Sequence, residues 1–201
     1  MKYYFLLAVV VSLLLNENLH SQVVGISVKG GRANILRGPA NDSPIKSTYW
    51  GVDFSYDLEN VKLKHYLVTA GLNTWNYSAS PGVSDVLDID YLQVPIMLMF
   101  HKGFPLQSKT LHGLTGIGIA FDFPYNTSYD ANGKVPADLD KTLIGATMGA
   151  ELMYFLNNHL ALGGEINGHI SLSKIEAFEV GSDRYINVRL GLKLSYFFNV
   201  N

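Results

Sequence analysis

From Ile186 to Phe198 the chain alternates almost without error. Ile186, Val188, Leu190, Leu192, Leu194, Tyr196 and Phe198 fall on one face, and Asn187, Arg189, Gly191, Lys193, Ser195 and Phe197 on the other. A period of two is the signature of a strand with one apolar and one polar face. The segment outruns the usual soluble strand of about 5–6 residues and reaches the roughly 9–11 tilted residues that cross a bilayer. It ends on an aromatic residue almost at the C-terminus.

The other end predicts a compartment. Met1 and Lys2 make a short positive start, residues 3–15 an apolar core, and Leu19-His20-Ser21 a stretch suited to cleavage after Ser21. That is the pattern of a secretory signal peptide (1–21), because the apolar run is too short for a membrane helix and Asn16, Glu17 and Asn18 follow at once. No other stretch is apolar for 18 residues, so a mature chain (22–201) that enters a bilayer must do so as a closed β-barrel, where every backbone group is paired. A net charge of −2 gives no reason to expect nucleic acid. The absence of cysteine excludes disulfides, thiolate metal sites and cysteine nucleophiles. A mean hydropathy of only +0.13 suits a barrel, which hides its apolar content by alternation.

The same alternation recurs upstream and predicts eight strands: residues 23–31, 48–58, 62–77, 89–101, 110–122, 143–155, 159–173 and 186–198. Their connections alternate in length. Those at 59–61, 102–109 and 156–158 are short; those at 32–47, 78–88, 123–142 and 174–183 are longer. Segregation of long loops to one end is expected of a membrane barrel with short periplasmic turns and longer outer loops. The aromatics supply a further expectation. With the chain starting in the periplasm, Tyr56, Tyr66, Phe100, Tyr154, Tyr196 and Phe198 collect at the periplasmic strand ends. Trp50, Trp75, Tyr77, Tyr91, Phe121 and Tyr185 collect at the outer ends. Two interfacial belts are the predicted result.

Tyr91-Leu92-Gln93-Val94-Pro95-Ile96 resembles the Tyr-Leu-Glu-Ile-Pro-Leu strand of the PorT-like outer-membrane β-barrel family of Bacteroidota. Val28-Lys29-Gly30-Gly31, with Asn34 three residues on, resembles that family's opening strand, and residues 165–172 its penultimate one. The resemblance implies an eight-stranded barrel related in shape to the OmpA and OmpX barrels. Gln93 stands where the family has Glu, Asn167 where Arg is usual, and Asn199-Val200-Asn201 extends past the closing Phe198.

On the polar faces, Lys29, Asp53, Asp57, Glu151, Glu165, Arg189 and Lys193 are predicted to point into the lumen. An eight-stranded barrel is filled by side chains, and buried charges must be paired. A satisfied polar plug is therefore expected rather than an ion path, with Glu165 facing Arg189 across the last hairpin. His169 and Ser171, two apart on one face, are the one pair resembling a base and nucleophile. They are similar to the His-x-Ser strand of outer-membrane lipid A deacylases, with Glu176 or Glu179 to orient the ring. The predicted register, however, turns them toward the lumen and not toward lipid. Asp130-Ala131-Asn132-Gly133 imitates the start of a calcium loop without its later ligands and predicts a turn. The sequons at Asn76 and Asn126 are expected to be unused in a bacterial chain.

The sequence thus predicts an all-β fold, an eight-stranded antiparallel up-and-down transmembrane β-barrel in the bacterial outer membrane. The expected role is structural or interaction-based, without catalysis, metal or cofactor: envelope integrity, adhesion or an accessory part in secretion. Its expected partners are outer-membrane lipid and, through the outer loops at 32–47 and 123–142, a surface or secretion-system protein. The alternatives are a lipid A hydrolase using His169 and Ser171, and a soluble lipocalin-like carrier, which would need the apolar faces turned inward.

Overall fold

A computed structural model describes residues 22–37, 45–58, 65–79, 87–101, 110–129, 141–174 and 184–200. The expected signal segment, the turn at 59–61, the run at Asp130-Ala131-Asn132-Gly133, and Glu176 and Glu179 lie outside these residues. Eight strands close into one barrel: β1 (Gln22–Arg37), β2 (Ile45–Asp57), β3 (Tyr66–Ala79), β4 (Leu87–His101), β5 (Leu111–Tyr129), β6 (Leu143–Phe155), β7 (Leu160–Ser171) and β8 (Ile186–Val200). Each pairs antiparallel with its successor, and β8 pairs back onto β1 from Gln22↔Val200 to Arg37↔Ile186. Closure leaves no open sheet edge, which is what a bilayer demands of a β structure.

The facing of the side chains follows the alternation. Val28, Leu72, Ile117, Met148, Leu162 and Leu192 are all exposed on the outer wall, and Leu192 is 69% accessible. A girdle of this extent has no place in water but is the expected lipid-facing surface of a transmembrane barrel. The residues between them along the strands turn inward: Lys29, Asp53, Glu151, Glu165, Arg189 and Lys193 are buried in the lumen.

Most of the strands run further than the amphipathic pattern predicts. β1 continues to Arg37 rather than residue 31, β2 begins at Ile45 rather than 48, β4 at Leu87 rather than 89, and β5 reaches Tyr129 rather than 122. β3 runs from Tyr66 to Ala79 rather than to 77, its expected start at 62–64 lying outside the described residues; β7 stops at Ser171 and β8 extends to Val200. Most of the expected loop at 32–47 is therefore ladder, with Arg32↔Thr48, Asn34↔Lys46 and Ile35↔Ile45 paired. The pattern fails there because it inverts. Beyond Gly30 and Trp50 the outward positions become mostly polar (Arg32, Asn34, Lys46, Thr48, with Leu36 the exception) while the inward ones turn mostly apolar (Ala33, Ile35, Tyr49, with Ser47 the exception). Thr74, Asn76 and Asp90 face out and Trp75, Tyr77, Ile89 and Tyr91 face in on β3 and β4. The wall is lipid-facing over one part of its height and water-facing over the rest, where an apolar core belongs inside. On this upper wall a bulge between Asp90↔Asn126 and Tyr91↔Pro124 leaves Tyr125 unpaired and exposed.

The end that carries the chain termini is tightly turned where it is described. Between β6 and β7 the Asn157 side-chain oxygen accepts the backbone N–H groups of His159 and Leu160, each at 2.8 Å, and so holds the turn without a glycine. His65, ahead of β3, adopts a left-handed φ of 77°, and its carbonyl accepts the His101 N–H at 2.9 Å.

Candidate functional site

The lumen is stacked in three layers. Nearest the termini, Leu67, Met97, Met99, Leu114, Met153, Phe155, Ala161 and Phe197 form an apolar floor. At the opposite end Ala33, Ile35, Tyr49, Trp75, Tyr77, Leu87, Ile89, Tyr91, Leu143 and Tyr185 form an aromatic-rich ceiling. Trp75 stacks on Tyr91 with ring centroids 4.6 Å apart. The Tyr185 ring stands edge-on to Trp75, Tyr77 and Tyr91, and its hydroxyl lies 2.9 Å from that of Tyr91. Between the two layers lies an ionic network.

Lys193 is the centre of that network. Its ammonium lies 2.9 Å from both carboxylate oxygens of Glu151 and 3.1 Å from Asp53 Oδ2. Lys29 reaches the same Asp53 oxygen at 2.9 Å and Glu165 Oε2 at 3.6 Å. The Tyr49 hydroxyl donates to Glu165 Oε1 at 2.6 Å. Carboxylate oxygens of Asp53, Glu151 and Glu165 all lie within 4.8 Å of one another, spacing that could suit a metal ion. Two lysine ammoniums already supply positive charge to this trio, Lys193 on Asp53 and Glu151, and Lys29 on Asp53 and Glu165.

A second arm runs toward the ceiling. Gln93 donates to Asp122 Oδ1 at 2.7 Å, accepts a short hydrogen bond from the Arg189 guanidinium, and receives Asn73 Nδ2 at 3.4 Å. Trp75 Nε1 also donates to Asp122 Oδ1, at 3.3 Å, and His169 Nε2 lies 2.9 Å from Asp122 Oδ2. The guanidinium carbon of Arg189 sits 5.8 Å from the Tyr49 ring centroid and 6.0 Å from that of Trp75, so two aromatic faces shield the cation. Four carboxylates (Asp53, Asp122, Glu151, Glu165) thus meet Lys29, Lys193, Arg189 and the imidazole of His169.

The predicted interior charges therefore lie on the inner wall, but their pairing differs from expectation. Glu165 stands opposite Gly191 in the β7–β8 ladder and Arg189 opposite Asn167, so the expected Glu165–Arg189 contact is replaced by Tyr49 and Lys29 on Glu165 and by Gln93 and Asn187 on Arg189. Asp57 sits apart, 3.8 Å from His101 near the floor. Asp122, Gln93, Asn73 and Tyr49 are network members the sequence reading passed over. The alternation of β5 already turns Asp122 inward, whereas nothing local identifies Tyr49, whose role depends on a partner 116 residues away.

The aromatics need a sharper correction. Tyr56, Tyr66, Phe100, Tyr154, Tyr196 and Phe198 do face outward near the termini, with Tyr66 against Phe100 at 5.7 Å and Tyr196 near Phe198 at 6.4 Å. Trp50 is outward as well, 65% exposed. Trp75, at 2%, and Tyr91, Tyr77 and Tyr185 belong to the ceiling inside the lumen and not to a belt. They lie where the wall has left lipid, so the inside offers them the apolar surroundings.

His169 and Ser171 both face the lumen and are buried. Ser171 Oγ donates to the Ser173 carbonyl at 2.6 Å, and His169 abuts Asp122. The arrangement offers neither a Ser–His hydrogen bond nor access to lipid. Among the described residues the inward apolar side chains gather in the two layers on either side of the charges, and the large exposed apolar surface is external.

Neither family models nor curated protein sequences match the chain. Solved structures do. The N-terminal β-barrel domain of Pseudomonas aeruginosa OprF aligns over 89% of this chain and 100% of its own, at 17% identity and a TM-score of 0.52. Neisserial surface protein A aligns over 87% and 97%, at 11% identity and 0.57. Pseudomonas aeruginosa OprG aligns over 90% and 98%, at 14% identity and 0.56. The fold is that of the eight-stranded barrels of the bacterial outer membrane, and the apolar girdle fits it to a lipid bilayer.

Proposed function

We propose that this protein is a sealed, non-catalytic outer-membrane barrel whose task lies on its outer wall. In this reading the termini face the periplasm, and the water-facing upper wall projects from the cell as a rigid mount for a surface or envelope interaction. The observation that carries it is the layered lumen: an apolar floor and an aromatic ceiling enclose the ionic network, so side chains occupy the space a substrate or ion would need. A role that cannot pass through the interior falls to the exterior, where the strands extend well past the girdle. The strand Tyr91-Leu92-Gln93-Val94-Pro95-Ile96 supports a place among PorT-like barrels. Its Gln93, which binds Arg189 and Asp122, takes the inner-wall position where that family has an acid.

The test is complementation of a deletion strain with the whole protein and with a version whose segments 38–44 and 130–140 are replaced by short Gly-Ser turns. Both should give a heat-modifiable barrel, and only the whole protein should restore envelope integrity or surface attachment. Equal restoration by both would remove those segments from the role. A change in lipid A acyl content on His169→Ala would contradict the non-catalytic reading.

A further inference from the structure

The margin between the two zones of the wall is unevenly charged, and on one side it is built like a seat for a lipid. On β1 and β2 the outward row changes from Val28, Gly30, Val52 and Trp50 to Arg32, Thr48, Asn34 and Lys46 within one residue pair. Arg32 pairs with Thr48, which makes Lys46 and Trp50 its two diagonal neighbours on the same face, at about 7–8 Å backbone spacing. Arg32, Lys46, Thr48 and Trp50 are all exposed, and among the described residues neither cation has an ion pair. The outward acids of the margin, Asp88 and Asp90, are on β4, where Asp90 is held by the amides of Asn76 and Asn126 at 2.9 Å each.

Directly beneath Arg32 the lipid-facing wall is notched. Leu192 of β8 has Gly30 on one side and Gly164 on the other in the ladder, so no side chain flanks it. A shallow groove of about 280 Å³ results, lined by Val28, Lys29, Gly30, Leu162, Leu192, Lys193 and Leu194, with the two lysine ammoniums turned inward to Asp53. It lies on the membrane girdle, where the material at hand is acyl chain.

We infer that Arg32 and Lys46, with the groove at Gly30 below them, form a site for one anionic lipid of the outer leaflet, its phosphate on the two cations and an acyl chain in the groove. The orientation rests on the proposed function. Charge complementarity selects the headgroup: two cations at bilayer-interface height, with Thr48 and Asn34 as hydrogen-bonding neighbours, suit a phosphate monoester or diester. Long basic side chains at this height also reach the headgroups with their stems lying on the apolar wall.

The chain's two tryptophans make the test direct, since Trp50 faces lipid beside Arg32 and Trp75 is sealed in the lumen. The folded protein is placed in phosphatidylcholine vesicles with graded amounts of brominated-acyl phosphatidate or brominated-acyl phosphatidylcholine, and tryptophan quenching is read. Phosphatidate should quench at roughly fivefold lower mole fraction or better, the preference expected from one or more basic residues at an anionic surface. Arg32→Gln with Lys46→Gln should erase the difference and leave quenching by brominated phosphatidylcholine intact. Gly30→Leu, which fills the groove, should lower quenching by brominated phosphatidate. Soluble glycerol phosphate in excess should not compete; if it does, the site is for a free phosphate and the lipid assignment is wrong. Equal quenching by the two lipids would overturn the site while keeping the barrel in the membrane. Quenching by neither would instead overturn the membrane reading itself.

Discussion

Gly191 and Tyr49 fit as socket and pin across the lumen: a β-carbon at position 191 would collide with the Tyr49 hydroxyl, which donates to Glu165 Oε1 at 2.6 Å. The absence of a side chain on β8 is what lets a tyrosine from β2 reach a carboxylate on β7. Gly191→Ala should therefore displace the hydroxyl and cost about 1–3 kcal/mol, the usual range for overpacking. Denaturant unfolding in lipid vesicles measures this. Adding Tyr49→Phe to Gly191→Ala should cost less than the two single changes summed, because the alanine has already broken the contact the phenylalanine removes.

Lys193 holds Glu151 and Asp53 together, and its loss leaves buried carboxylates short of a cation. Lys193→Met should destabilise the barrel by about 3–5 kcal/mol. Lys193→Met with Glu151→Gln should recover much of that loss, since charge is then removed in a pair and Lys29 still holds Asp53. Equal instability of single and double variants would show that packing around the lysine stem, not charge, is what matters.

Leu192 stands out from the girdle between two glycines. Leu192→Arg should cost about 2–4 kcal/mol of stability in a bilayer, as an arginine on the lipid face near the midplane does. The same change at Thr48, at the polar margin, should fall within about 1 kcal/mol. Unfolding from vesicles compares the two.

The inverted wall predicts a labelling pattern that the cysteine-free chain makes simple to read. Asn76→Cys and Asp88→Cys, outward on the upper wall, should react with a water-soluble maleimide in intact vesicles. Ile117→Cys and Leu190→Cys, outward on the girdle, should be protected until the membrane is dissolved. Protection at Asn76 would place the upper wall in lipid and contradict the two-zone description.

Strand number, closure and the face of each residue along the girdle were legible because the lipid imposes one rule there: apolar out, polar in. Ile186 to Ser195 obeys it, and the inward Phe197 departs from it only where the strand reaches the apolar floor. The same rule misplaced Trp75 and Tyr91, since above the lipid the rule reverses and an aromatic at the outer end of a strand belongs to a core. It also ended β1 at residue 31, where Arg32 and Asn34 break the apolar row while the ladder continues to Arg37. The interior charges were readable one strand at a time, but their pairing was not. Glu165 meets Tyr49 and Arg189 meets Gln93 through the stagger of the closed barrel, which brings together residues 116 and 96 apart in the chain.

The central claim is that the lumen is sealed, and conductance of the folded protein in a planar bilayer tests it most directly. A preparation that shifts on a gel only after boiling should insert and pass no ionic current above the bare membrane. Trp75→Ala with Phe155→Ala, one change in the ceiling and one in the floor, should raise conductance if those layers are the seal. Steady single-channel current from the unaltered barrel would contradict the account.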